Sequence, residues 1–217
     1  ASAALADESF NAFRLAEVTG IVKIKADDNA EYQAAEVGKD YQAGVTIQTA
    51  RRSSAVLEFT PDNRVRVLAN SEVKVVGKAA MRNTARIELH SGDVDGRLQA
   101  LPKGMKFEVE TPVGICGATG TDFSVGYGRL ADNMTREMVM DCTEGQLVLE
   151  GDFVRTEEDT IRAGSTFRFT LVQCDDRDYA FLPDVEIAGQ DLNVAFGQKN
   201  IALLGNGSWS QAAMGNV

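Results

Sequence analysis

Short runs of alternating apolar and polar residues dominate the chain. A period of two is typical of a β-strand with one face in the core. Turn residues separate these runs at spacings typical of sandwiches and barrels. The sequence therefore predicts an all-β fold. The runs with this pattern are 54–59, 64–68, 72–75, 86–90, 94–98, 106–110, 122–127, 136–140, 146–150 and 166–171.

One pair of runs predicts a β-hairpin. The run 54–59 stops at Pro61-Asp62-Asn63, and the run 64–68 follows. Proline presets its own φ angle, and Asp and Asn side chains hydrogen-bond to nearby backbone, so this tripeptide favours a turn. We expect the arginines of the second run to face solvent and its valines to face the core.

Two other segments interrupt the strand pattern. Ser91-Gly92-Asp93 lies between the runs 86–90 and 94–98, and predicts a break between two strands. Ser9 to Val18 carries Phe10, Phe13, Leu15 and Val18, which fits either one or two helical turns or an extended arm. No window predicts a long helix, and this excludes doubly wound nucleotide-binding folds.

Charge excludes one class of partner. The 217 residues include 22 Lys and Arg against 32 Asp and Glu, for a formal net charge of −10. Such a surface repels nucleic-acid phosphates and anionic lipids, so we expect no nucleic-acid partner. No apolar stretch reaches the length of about 18 residues that a membrane helix needs, so we also expect no membrane span.

The first eight residues bear on localisation. Ala1 to Ala6 are mostly small residues in an A-x-A pattern, and Asp7 and Glu8 follow. This resembles the end of a secretory signal peptide. We therefore expect an extracytoplasmic protein, which is secreted, on the cell surface or periplasmic after signal removal. An arbitrary chain boundary is the alternative.

The three cysteines allow more than one arrangement. In an oxidising compartment, Cys116, Cys142 and Cys174 predict one disulfide and a third thiol. Their spacings match no zinc pattern, and His90 is the only histidine in the chain. Three buried thiols are the alternative.

No catalytic set is evident. His90 lies in an alternating run without a Ser or Cys at motif spacing, which favours a structural or surface role. A glycosidase carboxylate pair is not excluded by the sequence, but few aromatics are present to stack on sugar. We therefore expect a protein that is not an enzyme.

Two acidic segments raise the question of a cation. Asp93-Val94-Asp95-Gly96 resembles the start of a calcium loop, but no distal Glu completes it. Asp175, Asp176 and Asp178 form a second acidic segment. A β-turn or bulge between strands explains the first segment better, and a solvated acidic turn is the more common case for the second. We expect no cofactor, with calcium left open.

The segment Thr111–Val125, TPVGICGATGTDFSV, resembles the signature of FecR-like domains, in which a T-P stretch precedes a G-T-x-F-x-V strand. The resemblance extends in order from about Val18 to Ser165. This sequence differs from the family pattern at two places. Asp62-Asn63-Arg64 replaces the family's Asp-Gly-Ser, and Thr119 replaces a common Arg, but these residues still favour a turn or a strand. Further matching motifs lie at Gly44–Thr49, Ser54–Phe59, Leu68–Val73, Leu89–Val94, Thr143–Leu147 and Ala163-Gly164.

The resemblance implies an antiparallel double-sheet or solenoid-like β body outside the cytoplasm. It implies a domain that senses or scaffolds, in a family not known for enzymes. Family members that regulate transcription add a membrane segment and a cytoplasmic part. We predict an N-terminal arm at 1–17, a FecR-like domain at 18–165, and a C-terminal β extension or tail at 166–217.

Two functional hypotheses follow. The first is an exported structural subunit that forms a homo-oligomer or fibre through its terminal segments, because both ends carry little charge and could add to a sheet edge. The alternative is a periplasmic signal-sensing or ligand-binding domain of FecR type, with a periplasmic or surface protein as partner. The residues expected to make assembly contacts are Leu5, Phe10, Phe13, Ile201, Leu203, Leu204 and Trp209.

Overall fold

The regular elements of the chain are β-strands. The computed structural model describes residues 10–78, 83–99, 101–129, 135–150, 154–156, 160–173, 180–189 and 194–196. None of these ranges contains a helix that is long and apolar enough to cross a membrane. The strands are β1 (Ala12–Thr19), β2 (Val22–Lys25), β3 (Gln33–Ala34), β4 (Asp40–Gln42), β5 (Thr46–Thr49), β6 (Ser54–Thr60), β7 (Asn63–Val67), β8 (Glu72–Lys78), β9 (Thr84–Leu98), β10 (Lys106–Thr111), β11 (Gly114–Ala118), β12 (Asp122–Arg129), β13 (Thr135–Glu144), β14 (Gln146–Glu150), β15 (Val154–Thr156), β16 (Ile161–Arg162), β17 (Ser165–Gln173), β18 (Ala180–Ala188) and β19 (Val194–Phe196).

The strands form two sheets that share β9. Sheet I has the order β4-β1-β6-β7-β9-β12-β13-β17-β18, with antiparallel pairing throughout. Sheet II has the order β3-β2-β5-β8-β9-β10-β11-β14-β16, and only its β9–β10 pair is parallel. Strands β15 and β19 form a separate pair. The predicted all-β double-sheet body is confirmed.

Strand β9 passes from one sheet to the other. Its first half pairs with β8 and β10 in sheet II, and its second half pairs with β7 and β12 in sheet I. The predicted break at Ser91-Gly92-Asp93 is therefore wrong, since the strand continues through it. Gly92 has φ +87°, and just before it a register shift between Glu72 and Val73 of β8 lies opposite the segment from Leu89 to Ser91. A bulge followed by a glycine in the left-handed region thus lets one strand change sheets without ending.

The predicted hairpin is confirmed. Strands β6 and β7 pair antiparallel, with Leu57 opposite Val65. Val65 and Val67 are fully buried, whereas Arg64 and Arg66 are exposed. Strict alternation along β7 therefore places its two arginines on the outer face of sheet I.

The core lies between the inner faces of the sheets and includes an aromatic cluster. The Phe10 and Phe59 rings stack at 5.4 Å between centroids, and the Phe107 ring meets Phe59 edge-on at 5.8 Å. Phe13 stacks on Tyr41 at 5.7 Å. These contacts join the start of β1 and the end of β6 in sheet I to β10 in sheet II.

The burial of two phenylalanines corrects part of the assembly prediction. Phe10 and Phe13 are 1% and 2% exposed and pack inside their own chain, so they are not assembly contacts. The segment that carries them is extended, because β1 starts at Ala12 and pairs with β4 and β6. The other predicted contact residues lie outside the described residues; they are Leu5, Ile201, Leu203, Leu204 and Trp209.

Strand pairing also crosses both predicted domain boundaries. Strand β1 spans the boundary at residues 17 and 18 and pairs with β6 up to Thr19. Strand β17 begins at Ser165 and pairs with β13 over eight residues. Residues on both sides of each boundary therefore share sheet I.

A glycine in β9 generates a stability prediction. A Cβ on Gly96 would lie 2.3 Å from the Phe123 ring on the adjacent strand. We expect Gly96→Ala to lower the free energy of unfolding by about 1–3 kcal/mol, because the buried ring cannot move aside without disturbing the core. Urea denaturation measures this difference.

Gly117→Ala is the matched control. Gly117 also lies in a strand, and its nearest neighbour would be 3.7 Å from the new Cβ. We expect unchanged or slightly higher stability, because alanine restricts the unfolded chain more than glycine. Equal unfolding free energies for the two variants would contradict the packing of Phe123 on Gly96.

Candidate functional site

Family-motif residues meet in a hydrogen-bonded turn that we call the polar corner: Thr49, Asn70, Ser71 and Asp93. Ser71 Oγ accepts a hydrogen bond from Asp93 N at 2.9 Å and donates to Asp93 O at 3.1 Å. Thr49 Oγ1 accepts from Ser71 N at 3.0 Å and donates to the Leu68 carbonyl. Asn70 adopts φ 57°, a left-handed conformation that Asn tolerates better than most residues.

The polar corner connects the sheets at the point where β9 changes sides. Thr49 ends β5 of sheet II, and Asp93 starts the sheet I half of β9. The hydroxyls of Thr49 and Ser71 both hydrogen-bond to backbone groups of the loop and of β9. Their arrangement supports the architecture, and neither hydroxyl is held by a base that would make it a nucleophile.

A small cleft of about 290 Å³ lies beside the polar corner on sheet II. Gln48 Nε2 donates to Glu72 across its floor at 3.3 Å, and the side chain of Ile21, 64% exposed, forms part of its wall. The cleft is open and mixed in polarity, with one Lys and one Glu. Its lining residues are Ile21, Lys23, Gln48, Thr49, Ala50, Asn70, Ser71, Glu72 and Ser91.

His90 lies next to this cleft, on the outer face of sheet II. Its Nδ1 is 3.3 Å from Glu72 and its Nε2 is 3.3 Å from Glu88. Both ring nitrogens therefore face carboxylates, and this supports the surface role predicted for His90. Lys74, which pairs with Asp28 at 2.8 Å, continues the same charged face.

The outer face of sheet I carries a lateral line of charges that we call the charge row. Its members are cross-strand neighbours on seven successive strands, and their signs run − + − + + − −. Cross-strand neighbours on one face are close enough to interact directly. In spatial order the charge row is Asp40, Arg14, Glu58, Arg64, Arg97, Asp122 and Glu144.

Two ion pairs in the charge row are close, and one is loose. Arg14 Nε lies 3.0 Å from Asp40 Oδ1 in a two-pronged contact, and this hydrogen bond lowers the pKa of Asp40. Arg64 lies 2.6 Å from Glu58. Arg97 lies 3.8 Å from Asp122, beyond hydrogen-bond reach.

The middle of the charge row lines a shallow groove of about 530 Å³, the arginine groove. The side chains of Arg64, Arg66 and Arg97 are 48%, 53% and 66% exposed. Arg66 is 3.8 Å from Glu17, so its ion pair is also loose. The lining residues are Glu17, Val56, Arg64, Arg66, Asp95, Gly96, Arg97, Asp122, Phe123, Ser124 and Thr143.

Arg86 on sheet II shows a contrasting arrangement. It contacts Glu108 at 2.7 Å and Glu110 at 2.5 Å, and its side chain is 28% exposed. Burial opposes the charge, but the two carboxylates raise the pKa of Arg86 overall. Arg86 is therefore held between its own partners, whereas the groove arginines retain unoccupied donor directions.

The described cysteines are free. Cys116 and Cys142 are buried thiols, and burial raises the pKa of each. Cys174 lies outside the described residues. The described part of the chain thus gives no support to the predicted disulfide, and it agrees with the alternative of buried thiols for these two positions.

The calcium-like sequence lies in a strand. Asp93 to Gly96 belong to β9, where Asp95 is opposite Arg66. In the described ranges, no group of three or more His, Cys, Asp or Glu side chains is arranged to hold a metal ion. Asp175, Asp176 and Asp178 lie outside those ranges.

Comparison with known proteins supports the sequence resemblance. The family model described as FecR protein matches residues 45–147, just under half of the chain, and this confirms the resemblance. No curated protein matches the sequence. Two crystal structures of a candidate anti-sigma factor from Parabacteroides distasonis ATCC 8503, at 1.65 and 2.50 Å resolution, are similar in fold.

The structural similarity is partial. Each of the two crystal structures has a TM-score of 0.48 and 12% sequence identity to this chain. Each match covers 67% of this chain and 60% of the solved chain. The aligned part therefore spans about three fifths of the length of either solved chain.

These findings correct the primary functional prediction. The expected self-assembling structural subunit is wrong, because the FecR match favours the signal-sensing alternative over a filament component. The expected homo-oligomeric or polymeric partner is wrong as well, because the same match favours a regulatory partner over self-assembly. The burial of Phe10 and Phe13 removes two of the contacts on which assembly was to depend.

Thiol accessibility generates a second prediction. Under native conditions near pH 8 we expect iodoacetamide to modify neither Cys116 nor Cys142, because only an accessible thiolate reacts. In urea without reductant, we expect both to be modified. Mass spectrometry of the digested protein measures each site, and a sample reduced before unfolding is the control. A thiol that reacts only after reduction would show that it is in a disulfide.

Proposed function

We propose that this chain is a non-catalytic regulatory domain of FecR type, which works outside the cytoplasm by binding a protein partner. The observation that carries this proposal is the FecR match over residues 45–147. The match includes the polar corner, the sheet-changing strand β9 and most of the arginine groove. The proposed function therefore rests on the part of the chain in which sequence and architecture agree.

The chemistry of the matched residues supports binding over catalysis. The hydroxyls of Thr49 and Ser71 hydrogen-bond to backbone, and His90 faces Glu72 and Glu88. A nucleophilic mechanism needs a base positioned on the nucleophile, and these contacts supply structural pairing. The proposal accordingly includes no cofactor and no bound calcium.

The net charge supports a protein partner. A formal charge of −10 disfavours nucleic acids and anionic lipid surfaces. A broad, rigid sheet face with exposed charged side chains suits recognition of another protein, in which charge pattern sets specificity. The signal would then be passed by a change in which partner is bound.

Deletion of the gene in its native host tests the proposed function. We expect the expression of a restricted set of genes to change, and a plasmid that encodes the full protein to restore it. RNA sequencing measures the response, with the empty plasmid as control. An unchanged transcript profile across growth conditions that express the protein would contradict the proposal.

A further inference from the structure

Two arginines in the charge row lie directly opposite each other. Arg64 on β7 and Arg97 on β9 are register partners on the outer face of sheet I. Like charges directly opposite each other destabilise a sheet. Placing these two arginines opposite each other therefore does not stabilise the fold. A role outside folding would explain why they lie there.

An acidic residue flanks this arginine pair on the adjacent strand at each side. Glu58 is the register partner of Arg64 on β6, and Asp122 is the partner of Arg97 on β12. The four side chains read − + + − across four adjacent strands. The net charge of the four is zero, but their own contribution to the potential above the centre is positive, because the two guanidinium groups are nearer to it than the two carboxylates.

The arginines at this centre retain hydrogen-bonding capacity. The Arg97 guanidinium is 3.8 Å from Asp122, and the Gln99 amide, oriented with its oxygen inward, accepts from Arg97 Nη2 at 2.8 Å and Nε at 3.0 Å. Arg64 contacts Glu58 through one nitrogen at 2.6 Å. A guanidinium has five N–H donors, so each retains donors for a further carboxylate.

Arg14 and Arg86 make more extensive contacts with carboxylates of their own chain. Arg14 makes a two-pronged contact with Asp40, and Arg86 contacts both Glu108 and Glu110. These arginines have carboxylate partners that fit an intramolecular role. At the centre of the arginine groove, by contrast, Arg64 contacts a carboxylate through one nitrogen, and Arg97 has no carboxylate within hydrogen-bond reach among the described residues.

We propose that the arginine groove binds a segment of the partner protein whose acidic centre is flanked by basic residues. Its carboxylates would lie over Arg64 and Arg97, and its flanking cations would lie near Glu58 and Asp122. Three spacings of about 4.8 Å between the four strands place the outer members about 14 Å apart, which a segment of about six residues spans when glycines let its two central acidic side chains turn to the same side. This inference rests on the proposed function, because it names the partner surface that such regulation would use.

A matched pair of peptides tests the inference with the full chain. The probe is acetyl-Lys-Gly-Glu-Glu-Gly-Lys-amide, and the control is acetyl-Glu-Gly-Lys-Lys-Gly-Glu-amide, which has the same net charge and the reverse pattern. Titration into ¹⁵N-labelled protein, followed by the Nε–Hε signals of arginine, measures binding. We expect the probe to bind on the order of tenfold more tightly than the control and to shift the Arg64 and Arg97 signals.

Paired variants locate the binding. Arg64→Gln with Arg97→Gln is expected to abolish the preference for the probe, whereas Arg14→Gln, on the same face but outside the groove, is expected to keep it. Arg14, Arg64 and Arg97 are all exposed, and circular dichroism checks that each variant is folded. As a second variant, Glu58→Gln with Asp122→Asn removes the end charges and is expected to reduce the preference for lysine-flanked peptide.

Three results would overturn the inference. They are equal affinity for both peptides, absence of binding by the probe at millimolar concentration, and unchanged binding by the double arginine variant. Each concerns the groove alone. The transcript response to gene deletion is measured independently, so failure of the groove is distinguishable from failure of the proposed regulatory function.

Discussion

The shared strand β9 is the constraint on which the rest of the structure depends. Its first half completes sheet II and its second half completes sheet I, so neither sheet is continuous without it. The change of sheet needs a residue that accepts φ +87°, which Gly92 supplies. It also needs hydrogen-bond partners for the backbone beside the bulge. The Ser71 hydroxyl is such a partner, because it accepts from the Asp93 N–H and donates to the Asp93 carbonyl. The polar corner therefore connects the two sheets at the position where β9 passes from one to the other.

The arrangement of functional surfaces follows from this constraint. Strands β7 and β12 meet across the second half of β9, and this brings the Glu58–Arg64 pair next to Arg97 and Asp122. Chain segments far apart in sequence thus form one flat charged face. A rigid double sheet holds such a pattern in register without ordering loops on binding, which reduces the entropic penalty of recognition. The same rigidity suits a regulatory domain that must discriminate between partners.

Local patterns predicted much of the fold, and long-range pairing accounts for what they missed. Alternation along β7 placed Val65 and Val67 in the core and the intervening arginine outside, because side-chain period depends only on the strand itself. Gly92 was interpreted as a strand end, since a glycine with turn neighbours has the same sequence signature at a break and at a bulge. The burial of Phe10 depends on contact with β6 and β10. The position of Arg97 opposite Arg64 depends on the order of strands in the sheet, which one sequence does not specify.

Native-state hydrogen exchange tests most directly whether β9 unites the two sheets. Amides of Ile87 and Leu89 report on its sheet II half, and those of Val94 and Leu98 report on its sheet I half. We expect one opening free energy for all four, lowered together by about 1–3 kcal/mol in Ser71→Ala, which removes the hydroxyl that accepts from the Asp93 N–H. Ser91→Ala, at an exposed position, is the control. Opening of one half at a much lower free energy than the other, or a Ser71→Ala effect confined to the corner amides, would contradict it.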